Sequence, residues 1–233
     1  RVYVTGSFTG TVDFDPGAAV SNLVSAGGSD AFVLRLAADG SFSFADGLGG
    51  LATDEGLDIA LDAAGNILTT GSFQNAGDFS PAPGSGGPAA TLGSGGGFDV
   101  FVSKFSPTNQ FLWAKSFGNS GDDRARGIAA LADGSVALVG SFSGTVDFDP
   151  GSGVASLAAA GASDVFLSCL STDGDFLGAR SYGGATSDLG RGIVAVANNA
   201  VHLTGRYASA AAFDTGAGIV NLQPLGGADV FVA

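Results

Sequence analysis

Apolar residues along this chain fall in short runs separated by clusters of Gly, Asp, Asn and Ser, the pattern of many short strands joined by tight turns. One run, Val-Tyr-Val-Thr-Gly-Ser-Phe at 2–8, returns as Ile-Leu-Thr-Thr-Gly-Ser-Phe at 67–73, Val-Ala-Leu-Val-Gly-Ser-Phe at 136–142 and Val-His-Leu-Thr-Gly-Arg-Tyr at 201–207. Its marker glycines Gly6, Gly71, Gly140 and Gly205 are spaced 65, 69 and 65 residues apart. A second marker, Asp-x-Phe, begins at Asp30, Asp99, Asp164 and Asp229, with spacings of 69, 65 and 65. Two markers with one period define a repeat, with units at 1–50, 51–120, 121–185 and 186–233.

Each unit offers up to four strands. Strand A is expected at Leu57–Leu61, Gly127–Leu131 and Gly192–Val196, and strand B is the marker-glycine run. Strand C opens on the Asp-x-Phe marker, and strand D covers Phe42–Leu48, Phe111–Phe117 and Phe176–Tyr182. Asp-Gly and Gly-Asn pairs in the A–B and C–D links suit turns that need positive φ. Strand C in the third unit, Asp164-Val165-Phe166-Leu167-Ser168-Cys169-Leu170, is apolar on both alternating faces. A strand of that kind lies between two layers. Four-stranded antiparallel blades stacked around an axis provide such layers, so the expected fold is an all-β propeller of about four blades. A sandwich would expose one face, and a solenoid repeat usually carries fewer strands. The first unit lacks strand A and the last lacks strand D. The chain therefore reads as a piece of a longer protein, either a four-bladed ring with a gap or a section of a larger ring. Unfinished blades present edges that recruit other chains, so self-association is an expected property.

Composition narrows the function classes. Of 233 residues 40 are Gly and 18 Phe, and among 22 acidic residues only Glu55 is a glutamate. Charged helix formers are nearly absent, which argues against a helical or helix-rich α/β fold. A net charge of −13 disfavours nucleic acid and anionic membrane, both of which require clustered Lys and Arg. No window is apolar for long enough to span a bilayer as a helix. Cys169 is alone, which excludes a disulfide framework.

Several stretches together resemble the bacterial SBBP-type β-propeller repeat in its long variety. They are Asp-Ala-Phe-Val-Leu-Arg-Leu-Ala-Ala-Asp-Gly at 30–40, Gly-Gly at 49–50, Asp-Ile-Ala-Leu-Asp-Ala-Ala-Gly-Asn-Ile-Leu at 58–68, and Gly-Ser-Phe-Ser-Gly-Thr-Val-Asp-Phe-Asp-Pro-Gly at 140–151. The resemblance covers nearly the whole chain. It implies a secreted or cell-surface protein built from many repeats, with no common reaction attached.

Strand alternation puts the A–B and C–D turns at one end of each unit and the B–C insertions and D–A loops at the other. Recurrent acids are expected at that second end. Asp13 and Asp15 in the first insertion are repeated by Asp147 and Asp149, whereas the second unit has Asp78 with Ser80 and the fourth Ala212 with Asp214. Asp54, Asp123 and Asp188 recur in the D–A loops of the same face. Paired aspartates with loop carbonyls are the donor set calcium takes, which makes Asp13, Asp15, Asp147 and Asp149 the candidate metal ligands. The competing reading, preferred here, is that Phe14, Phe79, Phe148 and Phe213 anchor the insertions while Asp shapes turns. For the Asp-x-Phe aspartate the preferred role is to cap loop amides.

Catalytic candidates are sparse. His202 is the sole His and occupies the strand slot of Tyr3, Leu68 and Ala137, so no Ser-His-Asp set can be assembled. Cys169 takes the slot of Arg35 and Lys104 and reads as a small apolar residue, and Trp113 takes that of Phe44 as packing. Arg124 and Arg126 beside Asp122 and Asp123 suggest a local ion-paired loop or a specific contact. The expectation is a non-enzymatic structural or protein-interaction module with an acidic, loop-rich face. It needs no cofactor, with calcium as the candidate ion. A calcium-dependent carbohydrate-binding propeller is the alternative, and a hydrolase or lyase comes third.

Overall fold

The computed structural model describes residues 1–80, 90–214 and 218–233. Apart from a 3-10 turn at Ala197–Asn199, every regular element in them is a β-strand. The first unit holds β1 (Val2–Phe8), β2 (Thr11–Asp13), β3 (Asn22–Val24), β4 (Asp30–Leu36) and β5 (Phe42–Gly50). The second holds β6 (Asp54–Leu61), β7 (Ile67–Phe73), β8 (Ala76–Asp78), β9 (Thr91–Gly93), β10 (Asp99–Phe105) and β11 (Phe111–Phe117). The third repeats it as β12 (Arg124–Ala130), β13 (Val136–Phe142), β14 (Thr145–Asp147), β15 (Ser156–Ala158), β16 (Asp164–Leu170) and β17 (Phe176–Tyr182). The fourth has β18 (Leu189–Ala195), β19 (Val201–Tyr207), β20 (Ala211–Asp214), β21 (Ile219–Leu222) and β22 (Asp229–Val232).

The chain is all-β, and its paired strands run antiparallel. The main sheets run β6-β7-β10-β11 and β12-β13-β16-β17, with β1-β4-β5 and β18-β19-β22 as their three-stranded counterparts. Each insertion between the second and third strand of a unit forms a small hairpin that sequence reading leaves as loop. The second hairpin also pairs with the preceding sheet through Gly49↔Asp78 and Gly50↔Gly77, and a bridge at Gly183↔Ala212 repeats that link two units later. The stretches 81–89 and 215–217, in the second and fourth insertions, lie outside the described residues.

The two sequence markers prove to be one physical contact. Gly6, Gly71, Gly140 and Gly205 stand directly across the ladder from Phe32, Phe101, Phe166 and Phe231. The phenyl ring covers the glycine so closely that a Cβ there would fall within 2.9 Å of it in every unit. The hairpin phenylalanine completes the cluster. Phe79 packs edge-on against Phe73 and tilted against Phe101, and the same edge-on and tilted pairs recur for Phe148 with Phe142 and Phe166 and for Phe213 with Tyr207 and Phe231. Such aromatic pairs bury large areas and add about 0.5–1.5 kcal/mol beyond the area buried.

Inner strands start earlier than the apolar pattern indicates, at Asp54 and Arg124 rather than Leu57 and Gly127, and at Leu189 rather than Gly192. Each contains a bulge. The register breaks between Gly56 and Asp58, Ala125 and Gly127, and Gly190 and Gly192. The extra residue interrupts the alternation that marks a strand.

Successive sheets pack face to face through these inner strands. β6 lies against β1 and β4, β12 against β6 and β7, and β18 against β12 and β13. Among the described residues no comparable packing returns from the fourth sheet to β1. Strands β7, β10 and β13, in the middle of the stack, are buried along their whole length. In contrast Val2, Val4, Val194, Val230 and Val232 at the two ends are exposed.

Polar links reinforce this order at the short-turn end. The Arg35 guanidinium donates to the Pro107 carbonyl at 2.6 Å, so the first unit grips the C–D turn of the second. Lys104, buried, donates to the Thr172 carbonyl at 3.0 Å and pairs with Asp62 at 3.1 Å. Trp113 adds an indole N–H to the same Thr172 carbonyl. In the third unit this slot holds Cys169.

Candidate functional site

The insertion acids form turns. Asp13 Oδ1 accepts from the amides of Asp15 (3.0 Å) and Ser21 (2.8 Å), and Asp147 Oδ1 from those of Asp149 (3.1 Å) and Ala155 (2.8 Å). Asp15 and Asp149 accept from Gly17 and Gly151 two residues on. Asp78 does the same with Ser80 and Ala90. These are Asx turns. The hairpin tip does not join the other acids of the loop-rich end. Asp15, Pro16 and Gly17 line one depression with Asp39, Gly40 and Ser41 of the β4–β5 turn, so the tip folds back towards the short-turn end.

Asp54, Asp123 and Asp188 are buried rather than displayed on a loop face. In each, one carboxylate oxygen accepts from the amide four residues upstream (Gly50, Asn119 and Gly184, at 2.7–2.8 Å). The other accepts from an amide twenty residues downstream (Gln74, Ser143 and Ala208, at 2.9–3.3 Å). One side chain thus staples the D–A loop to the start of the insertion. The Asp-x-Phe residues use one oxygen in this way, while the other oxygen of Asp30, Asp99 and Asp164 is buried without a hydrogen-bond partner. Asp30, Asp99, Asp164 and Asp229 accept from Ala26, Gly95, Ala160 and Leu225.

The two sets meet. Asp30 faces Asp54, Asp99 faces Asp123, and Asp164 faces Asp188 beside Gly183, where a Cβ would collide with both carboxyls. Burial, followed by the neighbouring carboxylate, pushes Asp54 and Asp99 up to about 6. Burial raises Asp30, Asp123 and Asp164 in the same direction. In the unfolded chain these groups titrate near 3.9. Folding therefore favours their protonated forms. The stability they contribute is complete below about pH 4 and is lost as pH rises through their raised folded values, about 6 for Asp54 and Asp99. We expect the melting temperature to be several degrees higher at pH 5 than at pH 7.5, read by calorimetry. A lower value at pH 5 would contradict the burial of these pairs as charged groups. Asp39, Asp62 and Asp133, held below the ordinary value by hydrogen bonds, act oppositely and only at lower pH.

Among the described residues no group of three or more His, Cys, Asp or Glu side chains is placed to hold a metal ion. His202 lines a shallow apolar depression with Ile193, Leu203 and Val232. Cys169 is half-buried beside Leu167, Leu177 and Gly178, and burial raises its thiol. No helix of the described residues is long and apolar enough to cross a membrane.

A basic cluster lies on the inner strands. Arg124 is not paired with Asp122 or Asp123. Asp122 accepts from the Phe98 amide, and Asp123 is occupied as described. Instead Arg124 reaches across to β6 and pairs with Glu55 at 2.5 Å. It also donates to Ser72 and lies 3.6 Å over the Phe98 ring. Arg126 and Arg191 stand close by on β12 and β18, near enough to repel. Sequence reading misses Glu55 and Arg191. The usable signal is that the only glutamate fills the slot that Arg124 fills one unit later, directly after Asp54 and Asp123. No family model matches this chain, and no curated protein matches it.

Proposed function

We propose that the chain is a section of an SBBP-type β-propeller that serves as a non-catalytic structural or protein-interaction module of a secreted or cell-surface protein. The observation that carries this reading is the use of the recurrent aspartates. In each unit they hold loop amides at equivalent positions, which is a loop-building use. Face-to-face packing of successive sheets through their inner strands supports the propeller, and the exposed edges of β1 and β22 support association between copies.

The test is a thermal melt with calcium and with chelator, followed by sedimentation over a range of concentrations. The expected result is one melting temperature in both conditions and a mass that grows with concentration. A calcium-dependent rise would overturn the reading in favour of calcium-dependent carbohydrate binding. A monomer at all concentrations would remove the self-association.

A further inference from the structure

We infer that Arg126 and Arg191 form a binding site for an oxyanion, a carboxylate or phosphate group, on the inner strands at the loop-rich end. Both are the extra residue of a bulge, Arg126 between Ala125 and Gly127 and Arg191 between Gly190 and Gly192. A bulge takes its residue out of the ladder and re-aims the side chain. The same slot in the second unit holds Leu57. The fold therefore does not require a cation there, yet two successive units place one, in a chain with nine basic residues in all.

The two strands are packed together, since a Cβ on Gly127 would lie 3.2 Å from the Ile193 nitrogen. Arg124, Arg126 and Arg191 thus share one region with the Glu55 carboxylate. Arg124 already takes that carboxylate at 2.5 Å. Among the described residues neither Arg126 nor Arg191 has an ion-pair partner, and Arg126 Nε is shielded from solvent without an acceptor. Burial and its two arginine neighbours hold the Arg126 guanidinium below its ordinary value, which agrees with a charge lacking compensation. A shielded donor without a partner is costly, and an oxyanion that accepts from the guanidinium fork removes the cost. The acidic remainder of the protein opposes this only weakly at a distance, because salt screens exposed charges beyond about 8 Å.

The test titrates inorganic phosphate and, separately, succinate into the intact chain, read by calorimetric heats and by melting temperature. Wild type is compared with Arg126→Leu, Arg191→Leu and, as a control on the outer strand, Arg180→Gln. Leucine is the natural occupant of the slot in the second unit, so Arg126→Leu is expected to melt no lower than wild type without ligand. At least one of the two probes is expected to raise the wild-type melting temperature. Its affinity should fall about tenfold or more in both leucine variants and stay unchanged in the control. A response to phosphate alone assigns a phosphate group, and one to succinate alone a carboxylate. Silence with both probes, or a response that survives both leucine variants, overturns the site.

Discussion

Gly140→Ala is expected to cost about 3 kcal/mol or more of folding stability, a drop in melting temperature on the order of 10 °C for a chain of this size. The added Cβ would stand 1.9 Å from the Arg124 carbonyl oxygen and 2.8 Å from the Phe166 ring. The ring has some freedom to tilt. The carbonyl has none, because it belongs to the inner strand and is fixed by the ladder that pairs Arg124 with Ser141. Gly71 and Gly205 meet the same obstacle, at 1.8 Å from Glu55 and 2.1 Å from Leu189. Gly6 supplies the control. No inner strand lies beside β1 in its own sheet, and a Cβ there meets only the Phe32 ring. Gly6→Ala should therefore cost roughly 1 kcal/mol, within reach of a ring adjustment. Denaturant unfolding of both variants checks the contrast. Equal losses would show that the inner-strand carbonyl is not what demands glycine.

Phe148→Ala should cost about 3–5 kcal/mol, the range for deleting a buried aromatic. Its ring centre lies 5.1–5.3 Å from those of Phe117, Phe142 and Phe166, and the side chain is fully buried. Asp149→Ala, in contrast, removes one bond to the Gly151 amide at an exposed turn, worth about 1 kcal/mol. The comparison decides whether the ring or the acid holds the β14–β15 hairpin in place. Should the two variants lose similar stability, the carboxylates are doing more than shaping the turn.

Period, strand order and the anchoring role of Phe14, Phe79, Phe148 and Phe213 were all legible, because each depends on local pattern repeated four times. Three features were not. The bulges break the alternation at Leu57, Arg126 and Arg191, so the apolar pattern starts each inner strand three residues late. The aspartates that open those strands looked like surface acids, since composition cannot distinguish a carboxylate in water from one enclosed by amides. Arg124 sits beside two aspartates in sequence, yet its partner lies 69 residues away on another sheet. Neighbours along the chain are poor guides to ion pairs in stacked sheets, where the shortest path between charges crosses units.

Near-identical units in one chain run a risk of their own, namely that a unit docks beside the wrong neighbour and traps the chain in a shuffled order. The slot at Arg35, Lys104 and Cys169 works against that outcome. The first unit offers a forked guanidinium to the Pro107 carbonyl, whereas the second offers a buried ammonium that needs both Asp62 and the Thr172 carbonyl. The third offers no cation. Asp62 belongs to the same unit and stays with Lys104, whereas a wrong neighbour would remove the Thr172 hydroxyl that Lys104 also uses, at a cost of about 1 kcal/mol. The slot thus makes each junction between units chemically different, a difference that favours the native order of assembly.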